Sequence, residues 1–176
     1  MQTKIGDILI ERVNGEDIKI CDFGLAQRII PGRDLRLEYG HPEFVAPEIV
    51  NKQNVTLAAD MWSVGIITYI LLSGTSPFLG ENDRETLERI KSGNISFSDD
   101  AFSKVSDEAK DFLSKLLVFE PSGRLNVKQA LHHNWIKNFR KSRESVPILS
   151  LDNLKDYHQK WQQSVSYTHL TLPTKA

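Results

Sequence analysis

The chain has 176 residues, an apolar fraction of 40% and a formal net charge of -1. That is enough chain for one domain with a sizeable core, and the charge balance points to neither nucleic acid nor an anionic membrane surface as a partner. Its one cysteine, Cys21, excludes an intrachain disulfide and fits a reducing, cytoplasmic setting. No basic-then-apolar segment opens the sequence, so no signal peptide is expected. The longest apolar run, residues 64–72, is far shorter than the roughly 20 residues of a membrane span and reads as a buried helix.

In chain order, residues 5–21 read as a β-hairpin. Ile8 and Ile10 alternate with polar neighbours, as do Ile18 and Ile20, and Asn14-Gly15 between them is the dipeptide preferred in two-residue hairpin turns. Asp22-Phe23-Gly24 follows the second run. Taken alone, Asp22 is a loop carboxylate at a strand end. A polar loop comes next, with Pro31-Gly32 as a turn signal. Between Leu25 and Val45 it holds no Ser or Thr, and Tyr39 is its only hydroxyl. The loop closes on Gly40-His41-Pro42-Glu43-Phe44-Val45-Ala46-Pro47-Glu48.

Helices dominate from there on. The run from Asp60 to Ser73 is apolar on nearly all faces, which predicts a helix buried on all sides, stopped by Gly74. Asp60 on its own is a carboxylate at a helix start. Three further helices are predicted. Asn82 with Glu85 resembles a capping box, and Gly93 ends that helix. Ser106 precedes two acids and an apolar series, Ala109, Phe112, Leu113, Leu116 and Leu117, at helical spacing. Asn126 with Gln129 opens the last, which carries Ala130, Leu131 and Trp135. Glu120-Pro121-Ser122-Gly123-Arg124 lies between two of these helices, where an arginine is ordinarily a solvated surface group. After a basic linker, residues 140–143, the positions Leu151, Leu154, Tyr157 and Trp161 recur at helical spacing. They predict an amphipathic helix docked on the domain, with an autoregulatory or calmodulin-target helix as the sharper alternative; Asp152 and Asp156 argue against the calmodulin version. Residues 164–176 show no period, look like translated linker sequence, and are expected to be disordered.

Together, Asp22-Phe23-Gly24, the loop, Pro42-Glu43-Phe44-Val45-Ala46-Pro47-Glu48 and Arg124 in its Glu-Pro-Ser-Gly-Arg setting resemble the C-terminal lobe of a Ser/Thr protein kinase over residues 4–139. The run Ser76-Pro77-Phe78-Leu79-Gly80-Glu81-Asn82-Asp83-Arg84 is similar to the muscle giant-protein kinases of the myosin light-chain kinase-like group, the obscurin and striated-muscle preferentially expressed kinases. The resemblance implies a mainly α lobe of a bilobal fold, entered through one hairpin, with ATP and Mg2+ as cofactors, a protein substrate, and a sarcomere-associated location. It implies a partial kinase domain over 1–139 and a post-kinase tail over 140–163.

Residue by residue, the resemblance makes Asp22 a ligand of Mg2+, a hard cation suited to carboxylate oxygen. It puts Cys21 on the nucleotide side and makes Phe23 a core residue that sets the direction of Asp22. Gly24 is the residue expected to turn through angles closed to others. His41, Pro42, Glu43 and Phe44 border the substrate groove, and Asp60 steadies the catalytic loop. Arg124 is implied to pair with Glu48, the guanidinium fork matching a carboxylate in two parallel hydrogen bonds. A loop without Ser or Thr excludes activation by phosphorylation there and agrees with kinases gated by a tail. At His41 many Ser/Thr kinases carry Thr or Ser; the larger imidazole can still donate one hydrogen bond, and it is assigned no chemistry.

The sequence holds no Gly-rich loop, no Val-Ala-x-Lys strand and no His-Arg-Asp catalytic loop. No catalytic residue is therefore expected within it, and the chain by itself is expected to be inactive, as a kinase cut after its catalytic loop. Two function classes remain at this point: an active Ser/Thr kinase of which this is the substrate-binding lobe, and an inactive kinase-like scaffold binding muscle proteins.

Overall fold

The computed structural model describes residues 7–10, 18–37, 41–97 and 100–141, together with Lys155, Tyr157 and Gln159; of residues 9, 10 and 139–141 it describes the backbone alone. The predicted Asn14-Gly15 turn, Tyr39-Gly40, the other positions of the tail stripe and residues 164–176 lie outside the described residues.

Strands β1 (Ile8–Ile10) and β2 (Ile18–Ile20) pair antiparallel, with Ile8 opposite Ile20 and Ile10 opposite Ile18. The Cys21 N–H continues the ladder by donating to the Asp7 carbonyl at 2.8 Å. Two strands alone are marginal in water, and this pair leaves Ile18 61% and Ile20 47% exposed.

The rest is helical: α1 (Pro47–Val50), α2 (Ala58–Ser73), α3 (Asp83–Ser92), α4 (Asp107–Leu116), α5 (Val127–Leu131) and α6 (Asn134–Lys141). Their ends follow local chemistry. Asn82 and Ser106 accept from the backbone N–H groups of Glu85 and Ala109 and so cap α3 and α4. Asn126 and Gln129 bond each other's backbone in a complete capping box at the start of α5. Gly74 and Gly93 end α2 and α3 in the left-handed conformation that glycine adopts at least cost.

Two expectations are corrected. The helix opened by Asn126 does not run on to Trp135. It stops at Leu131, His132 and His133 form a turn, and α6 begins afresh with Trp135 in its first turn. The His133 imidazole Nδ1 accepts from the Trp135 N–H at 3.3 Å, a local alternative to continuing the helix. Nor is α2 buried on every side: Val64 and Leu71, seven residues apart, are 42% and 41% exposed.

The core forms around α2. Trp62, Ile66 and Ile70 are fully enclosed, among Phe44, Ile49, Phe78, Ile90, Phe102 and Leu113. A smaller cluster of Met61, Phe112, Leu116 and Ala130 lies toward α5 and α6. Helices α2 and α4 approach so closely at Gly65 that a Cβ there would lie 2.6 Å from Leu117 Cδ2. Among the described residues no helix is long and apolar enough to cross a membrane.

Candidate functional site

The Asp22 turn stands at the end of β2. Residues Phe23–Leu25 form a single 3-10 turn, and Asp22 caps it, its carboxylate accepting from the Gly24 N–H at 3.4 Å. The residue in the left-handed region is Asp22, at φ 58°, and not Gly24. Aspartate tolerates this region because its short side chain bonds the local backbone. Gly24 contributes room: a Cβ there would sit 3.3 Å from Asp22 Oδ1. Phe23 is also not a core residue. It is 60% exposed and Leu25 58%, and nothing in this turn is buried, so no described element covers it.

Cys21 is half-buried. The exposed Asp22 carboxylate fits one ligand of a hard cation such as Mg2+, which needs near-octahedral oxygen coordination. Among the described residues no three His, Cys, Asp or Glu side chains gather into a metal site. The described residues thus fit one ligand of an Mg2+ site and do not make up the site.

The 41–48 segment is the opposite case. His41 leads a 3-10 turn, Pro42–Phe44, and tilts its ring against Phe44 at 5.5 Å between centroids. Phe44 is enclosed, and its carbonyl accepts from the Ser63 hydroxyl on α2 at 3.1 Å. Pro47 stands in the first turn of α1, where its missing N–H costs nothing.

Glu48, at 1% exposure, meets Arg124 across 76 positions of sequence. The two guanidinium nitrogens donate to the two carboxylate oxygens at 2.8 and 2.7 Å. The remaining donors go to the carbonyls of Val118, Phe119 and Ala58 at 2.7, 2.8 and 3.1 Å. All five N–H groups of the arginine are therefore used. Its guanidinium carbon also lies 5.0 Å from the Trp62 ring centroid, and Trp62 stacks on Phe78 at 5.5 Å. Asp60 stands in the first turn of α2, two residues after Ala58, whose carbonyl Arg124 uses.

Glu43 is equally buried, at 3% exposure, and among the described residues no arginine pairs with it. Its Oε1 accepts from the Tyr157 hydroxyl at 2.9 Å, 114 positions away, and Tyr157 is itself 8% exposed. Burial pushes the Glu43 carboxyl above its usual range, and the nearby Ser76 and Tyr157 hydroxyls offset part of that. The Tyr157 phenol is pushed well up, by burial first and then by the facing carboxylate. Sequence reading placed Tyr157 on an apolar stripe and Glu43 on a groove, but nothing in either position announced that they touch. The Ser63 and Trp62 contacts were missed in the same way.

A lobe built on one buried helix, with an Ala-Pro-Glu carboxylate pinned by a distant arginine, defines the C-terminal lobe of a protein kinase. The chain belongs to the protein kinase family, whose domain model matches residues 3–136. It is 43% identical over 166 residues to smooth-muscle myosin light chain kinase of Gallus gallus, covering 93% of this chain and 9% of that protein. It is 48% identical over 138 residues to skeletal/cardiac myosin light chain kinase 2 of Homo sapiens, covering 78% of this chain and 23% of the relative. Among solved structures, the autoregulated twitchin kinase fragment of C. elegans superposes with a TM-score of 0.81 at 36% identity, over 98% of this chain and 38% of that one. The autoinhibited serine kinase domain of titin does so with a TM-score of 0.77 at 36% identity, over 86% and 47%. The chain thus spans less than half the length of each.

Proposed function

We propose that this chain is the substrate-binding lobe of a Ser/Thr protein kinase acting on protein hydroxyls with ATP and Mg2+. The observation that supports it best is the Arg124 anchor, which fastens the 41–48 segment, buried from Glu43 to Glu48, as a platform. Phosphoryl transfer depends almost wholly on positioning and electrostatics, and a peptide can be positioned only against a rigid surface. His41, Pro42, Glu43 and Phe44 border that surface in this reading.

Asp22 would supply one carboxylate ligand to Mg2+, and Cys21 would lie on the nucleotide side. Mg-ATP, when bound, supplies the phosphoryl group and screens its charge. Residues 1–139 act as the lobe and 140–163 as a regulatory tail, with Tyr157 capping Glu43 at the edge of the groove. Kinship with myosin light chain kinases, twitchin and titin supports a place at the sarcomere.

The 176-residue chain alone transfers no phosphate in this reading, because its own groups supply one metal ligand and no general base. The test gives the purified chain ATP, Mg2+ and a basic Ser/Thr peptide, with ATP binding followed by calorimetry. Neither turnover nor micromolar ATP affinity is expected. A longer chain that includes a His-Arg-Asp loop is expected to phosphorylate Ser or Thr and to lose that activity on Asp22→Ala. Turnover by the short chain, or a longer chain indifferent to Asp22→Ala, would overturn the assignment.

A further inference from the structure

A second concave surface lies between the start of α2 and the 121–129 segment, with a volume of about 650 Å³. That is within the roughly 300–1,000 Å³ of small-ligand pockets and leaves room for a few side chains. Leu57, Met61, Leu125 and Val127 give it apolar lining. Leu57 is 74% exposed and Val127 59% exposed, so two large apolar side chains stand open beside each other's groove wall.

The same lining carries donors. Asn126 Oδ1 and Gln129 Oε1 are both spent on the capping box, at 3.0 and 2.9 Å, which leaves the two NH2 groups as donors. Ser122 adds a hydroxyl and Lys128 an ammonium. Arg124 also lines the groove, but Glu48 neutralises it and its five donors are taken. Among the described residues, Lys128 is thus the cation of this lining that no ion pair neutralises, and no acidic side chain lines the groove. The walls are preset, because the capping box holds the start of α5 while Met61 and Ala130 are buried in the second core cluster.

We propose that this groove docks a short acidic segment of a protein partner, with one bulky apolar side chain against Leu57 and Val127 and carboxylates facing Lys128 and the amide donors. A lining with one positive charge, several side-chain donors and no acid beside apolar ground is complementary to such a peptide. The docking is separate from phosphoryl transfer: it uses none of residues 22, 41–44 or 157 and needs no nucleotide.

The experiment measures fluorescence polarisation of labelled octapeptides with the 176-residue chain. One set carries a central Leu or Phe flanked by Asp and Glu; the control set replaces each acid by Lys. The acidic set is expected to bind with micromolar Kd and the control set about tenfold or more weakly. Lys128→Glu and Val127→Asp should each weaken the acidic set about tenfold, whereas Lys128→Arg should preserve binding. Both sites are exposed, and unchanged melting curves show that the variants fold. Equal binding of the two sets would overturn the proposal, as would binding that survives both substitutions. So would a dimer in light scattering that Val127→Asp abolishes, since a second copy would then be the occupant.

Discussion

Glu43 and Glu48 lie on one short segment and are buried to nearly the same degree, at 3% and 1% exposure. Their surroundings differ. Glu48 faces a guanidinium whose every donor is placed, so its charge is neutralised inside the lobe. Among the described residues Glu43 faces hydroxyls, one of them from the tail residue Tyr157. Burial raises the Glu43 carboxyl above its usual value, the sign of a charge that burial has not fully compensated. The contrast separates a carboxylate held by a charged partner from one held by hydroxyls. A buried carboxylate with a full complement of charged donors holds structure, and one capped by a neutral phenol is available to something better matched.

Breaking the fastening should have the largest effect. Arg124→Ala leaves Glu48 buried and unpaired, and is expected to destabilise the chain by about 3–5 kcal/mol in urea unfolding. A loss below about 1 kcal/mol would mean that water reaches Glu48 and that the two glutamates differ less than their geometry indicates.

The removable contact should give a smaller and more local change. Tyr157→Phe withdraws the donor from Glu43 and should weaken tail docking by about 1–3 kcal/mol. Tryptic cleavage after the exposed Lys155 would report it as faster cutting with little change in the melting of the lobe. Unchanged cutting would show that the phenol contributes nothing to docking.

The contact should also respond to pH, and the sign follows from both shifts being upward. Each proton is held more tightly in the folded state than in the unfolded one. The Glu43 contribution is therefore full below the usual carboxyl value of 4.5 and is lost as pH rises through the raised folded value. The Tyr157 contribution is full up to the usual phenol value of 10.0 and is lost above it. Cleavage after Lys155 should accelerate above that pH in the wild type but not in Tyr157→Phe. In Glu43→Gln the acid-side dependence should vanish.

The smallest expected effect sharpens the comparison from between the two carboxylates. Ser63→Ala removes the hydroxyl that holds the Phe44 carbonyl and should cost about 1 kcal/mol. If Lys155 cutting also accelerates, the Glu43 position depends on α2; if it does not, the Arg124 anchor alone positions the segment.

What could be known from residues alone was local or carried by whole motifs. Ser106, Asn82 and Asn126 mark helix starts because a short polar side chain reaches a backbone N–H three residues on. Gly74 and Gly93 mark stops because a left-handed residue is cheapest without a Cβ. Asp22-Phe23-Gly24, Ala46-Pro47-Glu48 and Arg124 named the family because several specific runs stood in one order. Even locally the reading slipped where two options cost nearly the same. Asp22 and not Gly24 took the left-handed turn, and His133 diverted its own backbone from helix.

The tertiary structure alone decided which groups meet at long range: Tyr157 on Glu43, Ser63 under Phe44, Trp62 beneath Arg124, and Leu57 beside Val127 around one groove. Such contacts arise when packing brings distant elements together, and a residue carries no mark of the neighbour that burial will give it. The same acid, glutamate, thus became half of an ion pair at position 48 and the acceptor of a neutral hydroxyl at position 43, according to whether a cation or a phenol arrived beside it.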